Sequence, residues 1–344
     1  MSRKSVIGIF KANLPQYLWM SLPLYIGAMI FALDGKAPEW ASIILFLVLV
    51  TILVGVAQFA NTYADRDEDH IFVPSSPLLT GELDAGTAKK ALILQNIVGG
   101  LLLIALLVVS NLNYWLIIAL AIGWAVALAY SLPPFRLKER IAGPFFFALG
   151  IALKPIVAWL VVEPSLTEKN GFIIAFAGFL FVECLAFQIS MTKLRKTFDA
   201  LRSGVIHIEE GSTVNNIRTS GLKLKVRTAI ALERIVGLEA FILIPIFWYL
   251  GIFDMPLSVA LLTLPLAFMI LTVVFRIKDP IGNTRKCEQF MGMVYSFIIL
   301  VFFAVALASV IHWAFAILLS IVFLVGFRLL VRYVHPFGVA YRPV

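Results

Sequence analysis

The chain has 344 residues, of which 61% are hydrophobic and 14% charged, with a mean hydropathy of +0.97. Soluble domains run at roughly 45–50% apolar and about 25% charged, so these values exclude a soluble globular domain, a disordered chain and a coiled coil. The net charge of +8 is read as orientation in a bilayer, not as nucleic-acid binding, because Lys and Arg of a membrane protein are retained in its cytoplasmic loops. Cys184 and Cys287 lie in or beside apolar runs and offer neither a disulfide framework nor a metal site.

In chain order, apolar runs predict spans at 14–33, 41–63, 89–110, 113–131, 142–162, 171–192, 229–250, 256–275, 288–309 and 312–333. Each is long enough to cross a bilayer as a helix, at about 20 residues per crossing. Runs without strict alternation select helices over a closed barrel. The fold class expected is all-α, a polytopic bundle of ten transmembrane helices, or nine if the last two runs are one. It forms a single domain over residues 1–344, with loops at 61–88, 132–141 and 193–228 on one side. Of the 28 Lys and Arg, 25 fall on that side, Lys36 and Lys169 on the other, and Lys154 within a span. This puts both termini and these loops in the cytoplasm; nine spans would move Arg328, Arg332 and Arg342 outside. The basic arm Ser2 to Lys11 is placed at the membrane interface, and the first run, followed by Asp34 and Gly35, is read as a retained span.

The loop after the second run opens Asn61-Thr-Tyr-Ala-Asp65-Arg-Asp67-Glu68-Asp69-His70. Asn61, Asp65 and Asp69 recur every four residues, so a continuing helix sets them on one stripe, each about 6 Å further along the axis. Gln58 extends the stripe towards the membrane. Four acids so close repel one another at an apolar boundary unless a cation joins them. Hard oxygen donors with open positions suit Mg²⁺ shared with phosphate oxygens; the competing reading is a solvated acidic helix end. Pro74-Ser-Ser-Pro77-Leu-Leu-Thr80-Gly81-Glu82-Leu83 then turns the chain back. The next loop on that side, Tyr130-Ser131-Leu-Pro133-Pro134-Phe135-Arg136-Leu-Lys138-Glu-Arg140, carries three cations behind a stiff Pro-Pro turn. They are phosphate contacts or membrane anchors by chemistry alone.

Together, Asn61-x-x-x-Asp65-x-x-x-Asp69, Ser76-Pro-Leu-x-x-Gly81 and Tyr130-Ser131-x-Pro-Pro-x-Arg136-Leu-Lys138 resemble the intramembrane prenyltransferases of the UbiA type over roughly the first 200 residues. The resemblance implies a helical bundle with a central cavity under a cytoplasmic cap, where Mg²⁺ is held on a prenyl diphosphate. It makes Asn61, Asp65 and Asp69 metal and diphosphate ligands, and Arg136 and Lys138 the groups that neutralise diphosphate. Gln58, Tyr130 and Ser131 are assigned to substrate binding.

The chain departs from the family pattern at Thr62 and Ser76, and above all after the sixth span, where a second Asp-rich motif is expected. There it reads Gln188-Ile-Ser-Met-Thr192-Lys193-Leu-Arg195-Lys196-Thr-Phe-Asp199. No register restores an aspartate pair, so Lys193, Arg195, Lys196 and Asp199 are candidate substrate contacts, with cations meeting the demand that a second metal would. Lys154, Glu183 and Glu239 fall inside apolar runs, where an ionised group costs roughly 2.5–3.5 kcal/mol on insertion scales, so they are expected to face a cavity or to pair. The activity expected is Mg²⁺-dependent prenyl transfer from a prenyl diphosphate to a hydrophobic, aromatic or quinone-precursor acceptor in the lipid bilayer. A UbiA-type terpene cyclase and a membrane carrier are the alternatives.

Overall fold

The computed structural model describes residues 2–34, 36–67, 75–111, 113–164, 171–202, 204, 216–219, 224–255, 257–259, 261–263 and 284–334. The chain is helical, and one isolated bridge, between Arg218 and Lys225, is the β pairing found among the described residues. The helices are α1 (Arg3–Ala12), α2 (Pro15–Leu33), α3 (Trp40–Ala64), α4 (Ala85–Val109), α5 (Tyr114–Ser131), α6 (Gly143–Val162), α7 (Gly171–Gln188), α8 (Arg195–Arg202), α9 (Val226–Leu238), α10 (Ala240–Tyr249), α11 (Thr284–Ala308) and α12 (Trp313–Val334). Among the described residues seven of them, α2 to α7 and α12, are long and apolar enough to cross a membrane. The protein is an integral membrane protein.

The predicted spans and the helices agree within a few residues wherever both are described. The last two runs form separate helices, α11 and α12, with a turn at Ser309 to Ile311 between them. The run at 229–250 differs, since it breaks at Glu239 into α9 and α10. Glu239 is exposed at that break. Most of the run at 256–275 lies outside the described residues.

The chain divides into two compact units, Met1–Phe135 with Val157–Ser165 and Phe303–Val344, and Arg136–Ile156 with Leu166–Phe302. In the first, α3 packs along α4 and α5, and α2 along α12. Local chemistry sets the helix starts: the Asp84 carboxylate accepts from the Thr87 N–H at 2.8 Å ahead of α4, and Asn113 accepts from the Leu116 N–H at 3.1 Å ahead of α5, each satisfying a donor that the first turn leaves open. Asn113 also donates to the Leu160 carbonyl at 2.7 Å. Between α2 and α12 the Trp19 indole donates to the Phe323 carbonyl at 2.8 Å, and Gly326 lets the ring lie against the backbone, since a Cβ there would stand 2.7 Å from it.

In the second unit α7 packs on α9 and α10. A phenylalanine layer fixes its apolar part, with Phe176 stacked on Phe302 at 3.9 Å and Phe172 edge-on to Phe253 at 5.7 Å. Beyond α7 the helix widens into a π turn, Ile189–Leu194, before α8. Ile189, Leu194 and Phe198 are buried there with Val226 and Ala229 of α9. Burying those apolar residues holds the turn to α9.

Candidate active site

In the first unit, α3 brings the leading residues of the acidic motif to its C-terminal end. Asn61 lies in the last turn and Asp65 closes the helix, its N–H bonding the Asn61 carbonyl at 2.9 Å. Asp65 is 9% exposed. Ser131, the last residue of α5, is buried and donates to Asn61 Oδ1 at 3.4 Å, and the Tyr130 phenol is within electrostatic reach of the Asp65 carboxylate. Gln58 is half-buried one turn earlier on α3. Ser131 thus meets Asn61 and Tyr130 lies near Asp65, with Gln58 one turn earlier on the same helix as Asn61. Asp69 lies outside the described residues.

Beside them Arg66 stacks over the Tyr63 ring at 5.3 Å. A surface pocket of about 260 Å³ opens between Arg66, Asp67, Leu79, Gly81 and Asp84. The re-entry turn is well defined: the Ser76 carbonyl accepts from the Leu79 and Thr80 N–H groups at 2.9 and 3.0 Å, and Gly81 has φ +68°, a conformation that glycine adopts without a Cβ penalty. The Asp84 carboxyl is held below the ordinary carboxylate value, first by a hydrogen bond from the Thr87 side chain and next by the Thr87 backbone.

In the second unit the cations are less alike than their spacing suggested. Arg136 sits in the left-handed region, φ 38°, and pairs with Glu139 at 2.5 Å, so its guanidinium is partly committed to a neighbour. Lys138, in the 3₁₀ turn Leu137–Glu139, is 7% exposed, and Lys193, in the π turn, is 3% exposed. The Lys193 ammonium donates to the Lys138 carbonyl, and Thr197 donates to the Lys193 carbonyl at 2.7 Å. π turns concentrate at functional sites, and this one falls where the family pattern is broken. Arg195, Lys196 and Asp199 follow on α8; their side chains are outside the described set.

Deeper along α7, Glu183 is 2% exposed, and neither carboxylate oxygen has a hydrogen-bond partner among the described residues. No hydrogen bond from Lys154 therefore reaches Glu183 among the described residues; Lys154 lies within electrostatic reach of Cys184. Sequence reasoning missed Lys11 and Glu82, which meet at 2.8 Å beside the acidic motif. They are 71 positions apart, and no local pattern announces them.

Hard oxygen donors thus end an apolar helix of the first unit, and a buried lysine follows an apolar helix of the second. The family model of the UbiA prenyltransferase family matches residues 20–294, and the chain belongs to that family. The bacteriochlorophyll synthase 33 kDa chain of Rhodobacter capsulatus is 32% identical over 112 residues, 31% of this chain and 35% of that protein. The chain thus matches about a third of that relative's length. Among solved structures, a UbiA homologue from Archaeoglobus fulgidus bound to GPP and Mg²⁺ superposes with a TM-score of 0.59 at 16% identity, covering 88% of this chain and 99% of that one. The same homologue bound to DMAPP and Mg²⁺ gives 0.56 at 17%, covering 84% and 98%. A structure concerned with digeranylgeranylglyceryl phosphate synthase gives 0.55 at 18%, covering 86% and 98%. At these identities the structures establish the fold.

Proposed function

We propose that the protein transfers a prenyl group from a prenyl diphosphate to a hydrophobic acceptor, an aromatic or quinone precursor, at the cytoplasmic boundary of the membrane. The observation that carries this is the oxygen-donor group of Asn61, Asp65 and Ser131 at the polar end of an apolar bundle, in a chain of a prenyltransferase family. The donors Asn61 and Asp65 are hard oxygens of the kind that suit Mg²⁺; among the described residues no group of three or more His, Cys, Asp or Glu that could hold a metal ion is found. Mg²⁺ is usually held by one or two carboxylates, with the rest of its shell left to water and phosphate oxygens. The Archaeoglobus homologue, bound to GPP or DMAPP together with Mg²⁺, supports the same partnership here.

Asn61, Asp65 and Asp69 are assigned as the metal's protein ligands, and Mg²⁺ bound there supplies Lewis-acid neutralisation of diphosphate oxygens. Lys138 and Lys193 hold the negative charge of the leaving diphosphate. Ammonium groups kept from water act on that charge more strongly than exposed ones. Arg136, kept in place by Glu139, adds a guanidinium, and Arg195, Lys196 and Asp199 of α8 are assigned as further substrate contacts. Gln58, Tyr130 and Ser131 orient the donor set. The allylic C–O bond breaks with its electron pair leaving on diphosphate, the acceptor carbon or oxygen bonds to the allylic carbon, and the acceptor loses its proton. The apolar helices house the chain and exclude the water that would quench the allylic cation.

Purified protein in vesicles, given labelled prenyl diphosphates of graded length with aromatic acceptors, is expected to yield label attached to the acceptor. Label recovered only as a hydrocarbon would mean cyclisation. No turnover with any chain length would mean a carrier.

A further inference from the structure

We propose, resting on the prenyl transfer given above, that Glu183 binds the polar head of the acceptor, a hydroxyl carried on an aromatic ring. Glu183 is 2% exposed within α7, and neither carboxyl oxygen has a hydrogen-bond partner among the described residues. Buried polar groups are bonded in the great majority of cases, and one left without a partner costs stability. A carboxyl placed there calls for a partner from outside the chain. Its place on the helix is equally specific. Phe172, Phe176, Phe179 and Glu183 follow one another at helical spacing, so they share one stripe of α7. Rings fill the first part of that stripe: Phe176 and Phe179 are fully buried, Phe176 stacks on Phe302 at 3.9 Å, and Phe172 stands edge-on to Phe253 at 5.7 Å. Towards the π turn the same stripe offers a carboxyl in place of a ring.

The level of Glu183 along the helix suits an acceptor. It stands about 15 Å before Lys193, at about 1.5 Å per residue, and Lys193 is the cation given to the diphosphate. That interval holds the allylic carbon, the attacking atom about 3–3.5 Å from it, and the ring to which that atom belongs, so Glu183 falls at the ring's far edge. A prenyl chain is hydrocarbon and has nothing to offer a carboxyl; the acceptor is the substrate with a polar head there. Lys154 narrows the head group further. Its side chain lies within electrostatic reach of Cys184, the residue after Glu183, and no hydrogen bond joins it to Glu183. A hydroxyl both donates to a carboxyl oxygen and accepts from an ammonium, whereas a methyl ether only accepts. Phe179, one turn away on the same stripe, gives the acceptor ring an aromatic neighbour.

The test uses the full chain in nanodiscs, with naphthol as the probe, its methyl ether as the comparison, and empty nanodiscs for the lipid background. Wild type is expected to bind naphthol saturably, and roughly tenfold more tightly than the ether, the order of one buried hydrogen bond. Glu183→Leu is expected to bind naphthol about tenfold more weakly and to treat the two compounds alike. Glu183→Gln, which still donates and accepts, is expected to stay near wild type. Thermal unfolding on the same samples separates recognition from a structural role, since Glu183→Leu exchanges an unpaired buried polar group for an apolar one and is expected to raise the midpoint. Equal naphthol binding by wild type and Glu183→Leu, no preference over the ether in wild type, or weaker binding that comes with a lowered midpoint, would overturn the proposal. Should Glu183→Leu not purify, Glu183→Met decides by the same readings. Diphosphate release by the wild type is followed separately with GPP and DMAPP. Release without saturable naphthol binding would overturn the proposal alone; no release with either donor would overturn prenyl transfer itself, and the role of Glu183 would fall with it.

Discussion

The Lys193 ammonium is fixed by the Lys138 backbone carbonyl, which leaves the Lys138 side chain outside that contact. On the proposed reading, in which the buried Lys193 ammonium meets diphosphate, Lys193→Gln is expected to lower kcat/KM about 100-fold, the order found for removal of one electrostatic donor in a catalytic site; Lys193→Arg should recover part of it. Ser131→Ala removes only the hydroxyl that orients Asn61. A net hydrogen bond of about 0.5–1.5 kcal/mol translates to a loss in kcat/KM of roughly 2- to 13-fold, and steady-state kinetics at fixed Mg²⁺ checks both variants. Asn61 and Asp65 were legible in the sequence because a four-residue repeat on a helix is a geometric statement. Arg136 was legible as a cation but not as a paired one, since its tie to Glu139 depends on a left-handed residue ahead of a 3₁₀ turn. Lys193 was legible as a departure from a pattern, while its burial came only with the π turn.

Among the elements, long helices are the part that periodicity and length predict best, and α2 to α7 fall where the apolar runs are. The break between α9 and α10 was not read, because a single glutamate in an apolar run signals a pocket and a kink equally well. Glu239 stands at the kink and is exposed. The contact of α2 with α12 makes a clear prediction. Gly326→Leu would drive a side chain into the Trp19 ring, and overpacking of this kind costs about 1–3 kcal/mol, measurable as a lower thermal midpoint in detergent.

The start of α4 gives a pH prediction. The Asp84 carboxyl is held below its ordinary value by its bonds from Thr87, so the folded state favours the ionised form. Its contribution is therefore complete above the ordinary carboxylate value and is lost as pH falls through the lowered one. Hydrogen exchange at Thr87, corrected for intrinsic rate, should show that acid loss in the wild type and none in Asp84→Asn.

For the whole molecule, composition already placed the chain in a membrane, and the distribution of basic residues proposed an orientation. That orientation predicts that a cysteine at Lys36 is labelled from outside intact cells, and one at Lys89 only after permeabilisation, in a background with Cys184 and Cys287 replaced. What composition could not show was how α1 joins the acidic loop, because contacts between distant segments have no local signature in the chain.

The central claim is that the Asp65 end of α3 holds a divalent cation on a prenyl diphosphate. Its most direct test is diphosphate release from labelled prenyl diphosphate by purified wild type and Asp65→Asn, each with Mg²⁺ and with EDTA. Release that requires Mg²⁺ in the wild type and is lost in Asp65→Asn is the expected result; release that persists in Asp65→Asn, or that is indifferent to EDTA, would contradict it.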